Sequence, residues 1–153
     1  MRIALFEPDI AANVGTILRL GACMGVAIDI IEPCGFPFGD TSLKRAGLDY
    51  LPHASVARHD SWRAFQASRK GRLILATTKA DNSYAEFRYA PDDTLLFGRE
   101  SAGVTAEVAA AADASVRIPM VEGMRSLNVA VSAGMILGEA LRQVGDLPKD
   151  PRQ

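Results

Sequence analysis

The sequence predicts an α/β fold in which a parallel sheet is flanked by helices. Short apolar runs alternate along the chain with segments of helical periodicity, as is typical of parallel sheets. The strand-like runs are almost continuously apolar, which is expected for strands covered on both faces. Since 153 residues suit a single core, we expect one domain over residues 1–153, with a frayed tail over residues 145–153.

The first part of the chain contains two predicted strands joined by a helix. Residues 2–6 and 26–31 are the strand-like runs, and between them apolar side chains recur at the i, i+3, i+4 spacing of one buried helix face. Asn13 is expected to cap this helix and Gly25 to end it, because both residue types favour those positions. Residues 32–40 are rich in glycine and proline and predict a loop.

Further elements follow along the rest of the chain. Two short helices are predicted at 41–47 and 62–67, the second capped by Asp60 or Ser61. The later elements are strands at 72–77, 94–97 and 115–118, an alanine-rich helix capped by Thr105, and a helix over about 127–144. This last helix is apolar on nearly every side, so we expect it in the core or in a subunit interface.

Composition excludes several classes of protein. A net charge of -1 argues against indiscriminate nucleic-acid binding, although a local basic face remains possible. No apolar run approaches the roughly 20 residues of a membrane span, and Glu7 ends the first run too early for a signal peptide. We therefore expect a cytoplasmic protein without membrane contact. Cys23 and Cys34 lack ligand spacing and a histidine cluster, which predicts buried thiols and no metal.

Three transitions from strand to loop combine glycines with polar side chains, at 7–19, 96–103 and 118–128. Ligands of parallel α/β sheets bind beyond the carboxyl ends of the strands, which is where Gly98 is expected. The sequence has neither a G-x-G-x-x-G run after its first strand nor a Walker A lysine. An ordinary turn is the alternative interpretation of 96–103.

Several polar residues in these segments have both a structural and a functional interpretation. Ser126 or Asn128 can cap the last helix, whose free N–H groups then form a site for a polar ligand. For Asn13, a helix cap is the leading interpretation. Arg19 is expected on the helix face away from the apolar stripe, where a solvated surface charge is the alternative to a functional role.

Taken in order, the three segments resemble the motifs of SPOUT-superfamily RNA methyltransferases. The matching stretches are residues 13–19 (NVGTILR), 97–103 (FGRESAG) and 118–128 (IPMVEGMRSLN). Residues 31–33 (IEP), 45–50 (RAGLDY) and 76–79 (ATTK) resemble more closely the minimal tRNA (cytidine/uridine-34 2'-O)-methyltransferase family. The likeness extends over about residues 2–143.

This resemblance implies a fold, a cofactor and a partner. The C-terminal part of the parallel sheet would be threaded into a deep trefoil knot, the SPOUT or α-β knot fold, and the protein would work as a homodimer. S-adenosyl-L-methionine would bind in the knot, largely through backbone groups. Its contacts would come from Ala76, Gly98, Ile118 and Ser126, with Thr77, Met120 and Leu127 nearby.

The resemblance also implies the methyl acceptor, which is the ribose 2'-hydroxyl of the wobble nucleotide of tRNA. That nucleotide is cytidine or modified uridine at position 34, typically in leucine isoacceptors. Relatives often place a tyrosine before the glutamate of the final helix, at a position linked to tRNA handling. Here Gly138 precedes Glu139, so that contact is absent from the pattern.

Methyl transfer to a hydroxyl needs the oxygen positioned against the methyl group and a partner for its proton. We expect Arg19 to contact the ribose oxygen or an adjacent phosphate, with Asn13, Ser126 and Asn128 as polar positioning groups. The tRNA must also be held by cations, since phosphate contacts dominate affinity. The candidates are Lys44, Arg45, Arg58, His59 and Arg125, each with a solvated surface charge as its alternative.

Two other functions remain compatible with the sequence. One is a non-catalytic, dimeric RNA-binding module that has the same fold. The other is a nucleotide- or small-molecule-binding α/β protein whose motif similarity is accidental.

Overall fold

In the computed structural model, residues 1–37 and 53–149 are described, and within them seven strands form one sheet. The strands are β1 Arg2–Phe6, β2 Ala27–Ile31, β3 Val56–His59, β4 Leu73–Ala76, β5 Asn82–Ser83, β6 Thr94–Phe97 and β7 Ala114–Arg117. Their order is β3-β2-β1-β6-β4-β7-β5, and every pairing between them is parallel. The predicted α/β fold with a parallel sheet is confirmed.

Four helices lie in the same part of the chain: α1 Ala11–Met24, α2 Trp62–Ser68, α3 Ala106–Ala110 and α4 Val129–Val144. The Ser61 and Thr105 side chains cap α2 and α3 by accepting hydrogen bonds from Ala64 N and Val108 N. Gly25 ends α1 with a φ of 67°, a left-handed conformation that glycine adopts without strain. The short helix predicted at 41–47 lies outside the described residues.

The helices cover the two faces of the sheet with two separate apolar layers. One layer joins Ile3, Leu5, Ile28, Ile30, Leu95 and Phe97 to α1 and α4. The other joins Ala4, Phe6, Ile31, Leu73, Leu75 and Leu96 to Phe65 of α2 and Val108 of α3. Consecutive residues of each central strand enter opposite layers, which explains why these strands are mostly apolar.

Two predictions about local structure were wrong, and two strands were not predicted. Asn13 does not cap α1: the helix begins at Ala11, its N-cap is Ile10, and no side chain caps it. Strands β3 and β5 were not predicted, because β3 is at most half-buried and β5 has only two residues. Cys23 is exposed rather than buried. Cys34 is partly buried, and this burial raises the pKa of its thiol to about 11.

The described residues contain neither a membrane-spanning helix nor a candidate metal site. None of the helices there is both long and apolar enough to cross a bilayer. Within residues 1–37 and 53–149, no cluster of histidine, cysteine, aspartate and glutamate has the arrangement of a metal site.

Candidate active site

The carboxyl ends of three neighbouring strands position the main cavity. Ala76 of β4 is in register with Phe97 of β6 on one side and with Val116 of β7 on the other. The loops that follow these strands therefore leave the sheet side by side. A cavity of about 480 Å³ lies between those loops and the first turns of α1 and α4. This volume is within the range of small-molecule and cofactor sites, which is roughly 300–1,000 Å³.

A tight turn after β6 forms one wall of the cavity. Arg99 and Gly103 exchange two backbone hydrogen bonds of 2.8 Å, so the chain doubles back at once after Gly98. A Cβ atom at Gly98 would lie 2.5 Å from the carbonyl carbon of Gly103. Only glycine fits there without displacing backbone, because Gly103 fills the space that a side chain would need. Gly98 itself lines the cavity.

A chain of polar side chains connects three of the surrounding segments. The Asn13 side-chain amide donates to Glu100 Oε1 at 3.0 Å, and the Asn128 amide donates to Asn13 Oδ1 at 2.9 Å. The Asn128 Oδ1 atom also caps α4 by accepting from Ala130 N and Val131 N. One network thus fixes the starts of α1 and α4 relative to the turn after β6.

Asp9 holds the same turn from the side of β1. Its carboxylate accepts hydrogen bonds from the hydroxyl and the backbone N–H of Ser101, and Arg99 lies 3.1 Å from its Oδ1 atom. The Ser101 hydroxyl above all, together with the Ser101 N–H and Arg99, lowers the pKa of Asp9 below its ordinary value. Glu100 Oε2 meanwhile accepts from the backbone N–H of Asp9 at 3.0 Å. The loops after β1 and β6 are therefore joined by charge-assisted hydrogen bonds.

The structure brings most of the predicted site residues together. Every residue predicted to hold the cofactor lines the cavity, namely Ala76, Thr77, Gly98, Ile118, Met120, Ser126 and Leu127. Asn13 and Asn128 line it as well. Asn128 rather than Ser126 caps α4, so the serine hydroxyl is not used for the cap.

The predicted cations that fall within the described residues do not line the cavity. Arg19 is exposed on α1, six residues beyond Asn13 and on the same helix. Arg125 is exposed directly before Ser126. Arg58 forms a salt bridge with Glu32 at 2.6 Å, and His59 lies 2.8 Å from Asp29 with only 12% of its side chain exposed. Lys44 and Arg45 lie outside the described residues.

Sequence reasoning missed part of the lining. Ile10, Thr78, Arg99, Glu100 and Ser132 also line the cavity. Glu100 belongs to the motif at 97–103, but a carboxylate in a glycine-rich turn gives no local sign of its partners. Asn13 is 87 residues away from it in sequence.

Comparison with known proteins identifies the family of this chain. The model of the SpoU rRNA methylase family matches residues 1–138. A protein of Beijerinckia indica named tRNA (cytidine(34)-2'-O)-methyltransferase is 56% identical over 150 residues, covering 96% of this chain and 94% of that protein. The protein of the same name from Escherichia coli K12 is 41% identical over 148 residues, covering 95% of this chain and 94% of its own length.

Solved structures agree with this assignment. A structure described as giving insights into the 2-OH methylation of C/U34 on tRNA superposes with a TM-score of 0.88 at 39% identity, covering 93% of this chain and 94% of the other. An AdoMet-bound rRNA methyltransferase from Sinorhizobium meliloti superposes with a TM-score of 0.82 at 28% identity, covering 92% of this chain and 55% of that one. The chain therefore belongs to the SpoU rRNA methylase family.

Proposed function

We propose that this protein transfers the methyl group of S-adenosyl-L-methionine to the ribose 2'-hydroxyl of nucleotide 34 in tRNA. The acceptor is cytidine or modified uridine, in leucine isoacceptors. The observation that carries the proposal is the convergence of three loops on one cavity, in a chain 56% identical to a protein named for this reaction.

The residues of the cavity suit the cofactor. Gly98 and the neighbouring loops line the cavity, where main-chain groups can contact a ligand. We assign its binding to Ala76, Thr77, Gly98, Ile118, Met120, Ser126 and Leu127. When bound, S-adenosyl-L-methionine supplies an electrophilic methyl group carried by a sulfonium. A C-terminal trefoil knot and a single domain over residues 1–153 are part of the same proposal.

Arg19, Asn13 and Asn128 are assigned to the methyl acceptor, the ribose 2'-hydroxyl. The Arg19 guanidinium stays protonated in proteins, so it stabilises the developing negative charge on the ribose oxygen or holds an adjacent phosphate. A phosphate or a water molecule then takes the proton. Asn13 and Asn128, whose amides are held by Glu100 and by each other, position the ribose together with Ser126.

Cations hold the tRNA through its phosphates. We assign phosphate contacts to Lys44, Arg45, Arg58 and Arg125. Of these residues, Arg125 directly precedes the cavity residue Ser126. His59, which the sequence placed in the same group, has its ring turned to Asp29 and is the weakest member of that set.

A homodimer completes the proposal. Five exposed apolar side chains lie on α4 and in the loop before it, with exposed fractions from 37% to 76%. These residues, the α4 apolar patch, are Val121, Met124, Leu127, Val131 and Met135. Exposed apolar surface of this kind marks a protein interface, and a two-fold axis would bring the same helix of both copies together.

A transfer assay separates this function from the two alternatives. Purified protein is incubated with S-adenosyl-L-methionine carrying a labelled methyl group and with bulk tRNA, and the label in the RNA is counted. The enzyme gives labelled tRNA. A non-catalytic RNA-binding module binds tRNA without transferring label, and an unrelated small-molecule-binding protein does neither.

A further inference from the structure

A second cavity lies on the sheet face that α2 covers. Its volume is about 390 Å³, and none of its lining residues is shared with the first cavity. The lining comprises Arg2, Asp29, Ala57, His59, Phe65, Ser68, Arg69, Lys70 and Thr94. Helix α2 has only seven residues, and Phe65 packs with Phe6 and Ile31 in the apolar layer. The polar side chains of β1, β2 and β6 on this face border the cavity instead of an apolar core.

A buried carboxylate network forms one wall of this second cavity. Asp29 is 3% exposed and accepts hydrogen bonds from Arg2 Nε at 2.7 Å and Arg2 Nη2 at 2.9 Å. His59 Nε2 lies 2.8 Å from Asp29 Oδ1, the oxygen that also accepts from Arg2 Nη2. Asp29 is the buried member of the pair, because 42% of the Arg2 side chain is exposed. The Arg2 guanidinium therefore remains accessible while it is held by Asp29.

Thr94 adds an observation that points to a ligand. The residue is 1% exposed, and its hydroxyl oxygen has no hydrogen-bond partner among the residues that the structure describes. Buried hydroxyl groups in proteins almost always have a partner. Thr94 lines the second cavity, so a polar atom bound there would supply the missing hydrogen bond.

The charges of the lining select an anion. Arg2, Arg69 and Lys70 line the cavity with one carboxylate, Asp29, while Arg69 also pairs with Asp113 outside the lining at 3.4 Å. The hydrogen bonds of Arg2 to described residues use Nε and Nη2, and those of Arg69 use Nε and Nη1. As far as the described residues show, Nη1 of Arg2 and Nη2 of Arg69 are not used in these hydrogen bonds. Each guanidinium can therefore donate from one terminal nitrogen to a bound ligand. Guanidinium groups match the oxygens of a phosphate particularly well.

We propose that the second cavity is a binding site for a small phosphomonoester, separate from the site of methyl transfer. The dianionic phosphate contacts Arg2, Arg69 and Lys70 and accepts a hydrogen bond from Thr94. A phosphodiester within RNA carries one charge and continues at both ends, which suits an open groove better than this cavity. The inference does not depend on the proposed function, because it rests on a different set of residues.

Calorimetric titration with inorganic phosphate and with ribose 5-phosphate tests the proposal. The titrations are made with S-adenosyl-L-methionine present in excess, so that the first cavity is filled, and with chloride at equal ionic strength as the blank. We expect saturable binding of both probes. Lys70→Ala and Thr94→Val are expected to raise each Kd about tenfold, the effect of losing one hydrogen bond to a charged group.

Arg63→Ala is the matched control. Arg63 is exposed on α2, the helix that precedes Lys70, and does not line the cavity; its loss changes the net charge as Lys70→Ala does. The Kd values of this variant should equal those of the unaltered protein. Amide chemical shifts on adding phosphate should move at Lys70 and Thr94 and stay constant at Gly98. Variants of Arg2 or His59 are unsuitable, since each would remove one of the two partners of the buried Asp29 carboxylate.

Three results would overturn the proposal. The first is the absence of saturable binding of either probe to the unaltered protein. The second is an equal effect of Lys70→Ala and Arg63→Ala on phosphate affinity, which would mean that only net charge matters. The third is a Lys70→Ala variant that binds tRNA less tightly while its phosphate affinity is unchanged, since Lys70 would then serve RNA.

Discussion

Asn13 illustrates how one side chain acquires a function that its residue type does not reveal. Its amide nitrogen donates to Glu100 and its amide oxygen accepts from Asn128. One partner is an acceptor and the other a donor, so the orientation of the amide is fixed. The sequence favoured a helix cap, which is the commonest local role of asparagine. The actual partners are 87 and 115 residues away, and contacts at that separation leave no local pattern.

At the same scale, Arg19 carries the main prediction about chemistry. Arg19→Ala is expected to lower kcat by about 10²–10³-fold, the usual cost of removing a group that stabilises a developing oxyanion. Arg19→Lys keeps the charge but not the planar fork, so an intermediate loss is expected. Steady-state kinetics measure kcat, and calorimetry measures the Kd of S-adenosyl-L-methionine, which should hardly change.

Arg63→Ala serves as the control for Arg19, since it removes an exposed arginine on the other face of the sheet. Full turnover by Arg19→Lys would exclude a role for the guanidinium geometry. A large loss of cofactor affinity in Arg19→Ala would place the side chain in the cofactor pocket.

The turn after β6 is the element on which the cavity depends most. Gly98→Ala would place a Cβ atom 2.5 Å from the Gly103 carbonyl carbon, so the turn must move. We expect the free energy of unfolding to fall by about 1–3 kcal/mol, as for other overpacked sites, and cofactor affinity to fall with it. Thermal unfolding and calorimetry measure the two effects.

Gly138→Ala on α4 provides the comparison, because an added methyl group there would meet no other part of the described chain within 4 Å and alanine favours helix. This variant should unfold at an equal or higher temperature than the unaltered protein. If Gly98→Ala behaves like Gly138→Ala in both measurements, the turn does not shape the cofactor site.

The stability of the protein should depend on pH through Asp9, which holds the same turn. Ser101 and Arg99 lower the pKa of Asp9 in the folded protein. The ionised Asp9 carboxylate therefore stabilises the fold at pH values above its ordinary pKa of 3.8. This stabilisation is lost as the pH falls through the lower pKa of the folded protein. Asp9→Asn is therefore expected to be less stable than the unaltered protein at neutral pH, with a difference that narrows below about pH 4.

Thermal unfolding across this pH range measures the difference, and Asp81→Asn, at an exposed position away from the turn, controls for the general effect of removing a carboxylate. A difference between Asp9→Asn and the unaltered protein that is constant with pH would contradict the linkage.

Elements differ in how well the sequence predicted them, for a physical reason. Strand β1 was predicted to the residue because its positions from Ile3 to Phe6 are buried between two layers, which makes the run continuously apolar. Strand β3 lies at the edge of the sheet, so its alanine, arginine and histidine carry no such signal. The start of α1 was misplaced because Ile10, an unusual N-cap, precedes it.

At the scale of the whole molecule, the site is a consequence of strand order. Strands β4, β6 and β7 are neighbours in the sheet, although other segments separate them in the chain. Periodicity predicts each strand but not which strands lie side by side. The grouping of their loops was therefore expected only from the resemblance of three ordered motifs, and the volume and polar contacts of the cavity required the structure.

The proposed dimer is also a property of the whole molecule. Val131 is 52% exposed on α4, and an aspartate there would place a charge in the α4 apolar patch. Sedimentation analysis is expected to show a dimer for the unaltered protein and a shift toward monomer for Val131→Asp. Leu147→Asp replaces an apolar residue that is 46% exposed beyond α4 and should remain dimeric. A monomeric unaltered protein, or equal dissociation of both variants, would contradict the proposal.

Mapping the methylated nucleotide tests the whole account most directly. Transfer RNA treated with the protein and S-adenosyl-L-methionine is digested with nuclease and the fragments are analysed by mass spectrometry. We expect one added methyl group on the ribose of nucleotide 34 in leucine isoacceptors, and its formation about 10²–10³-fold more slowly when Arg19→Ala replaces the unaltered protein. A methyl group on a base, or on the ribose of another position, would contradict the account.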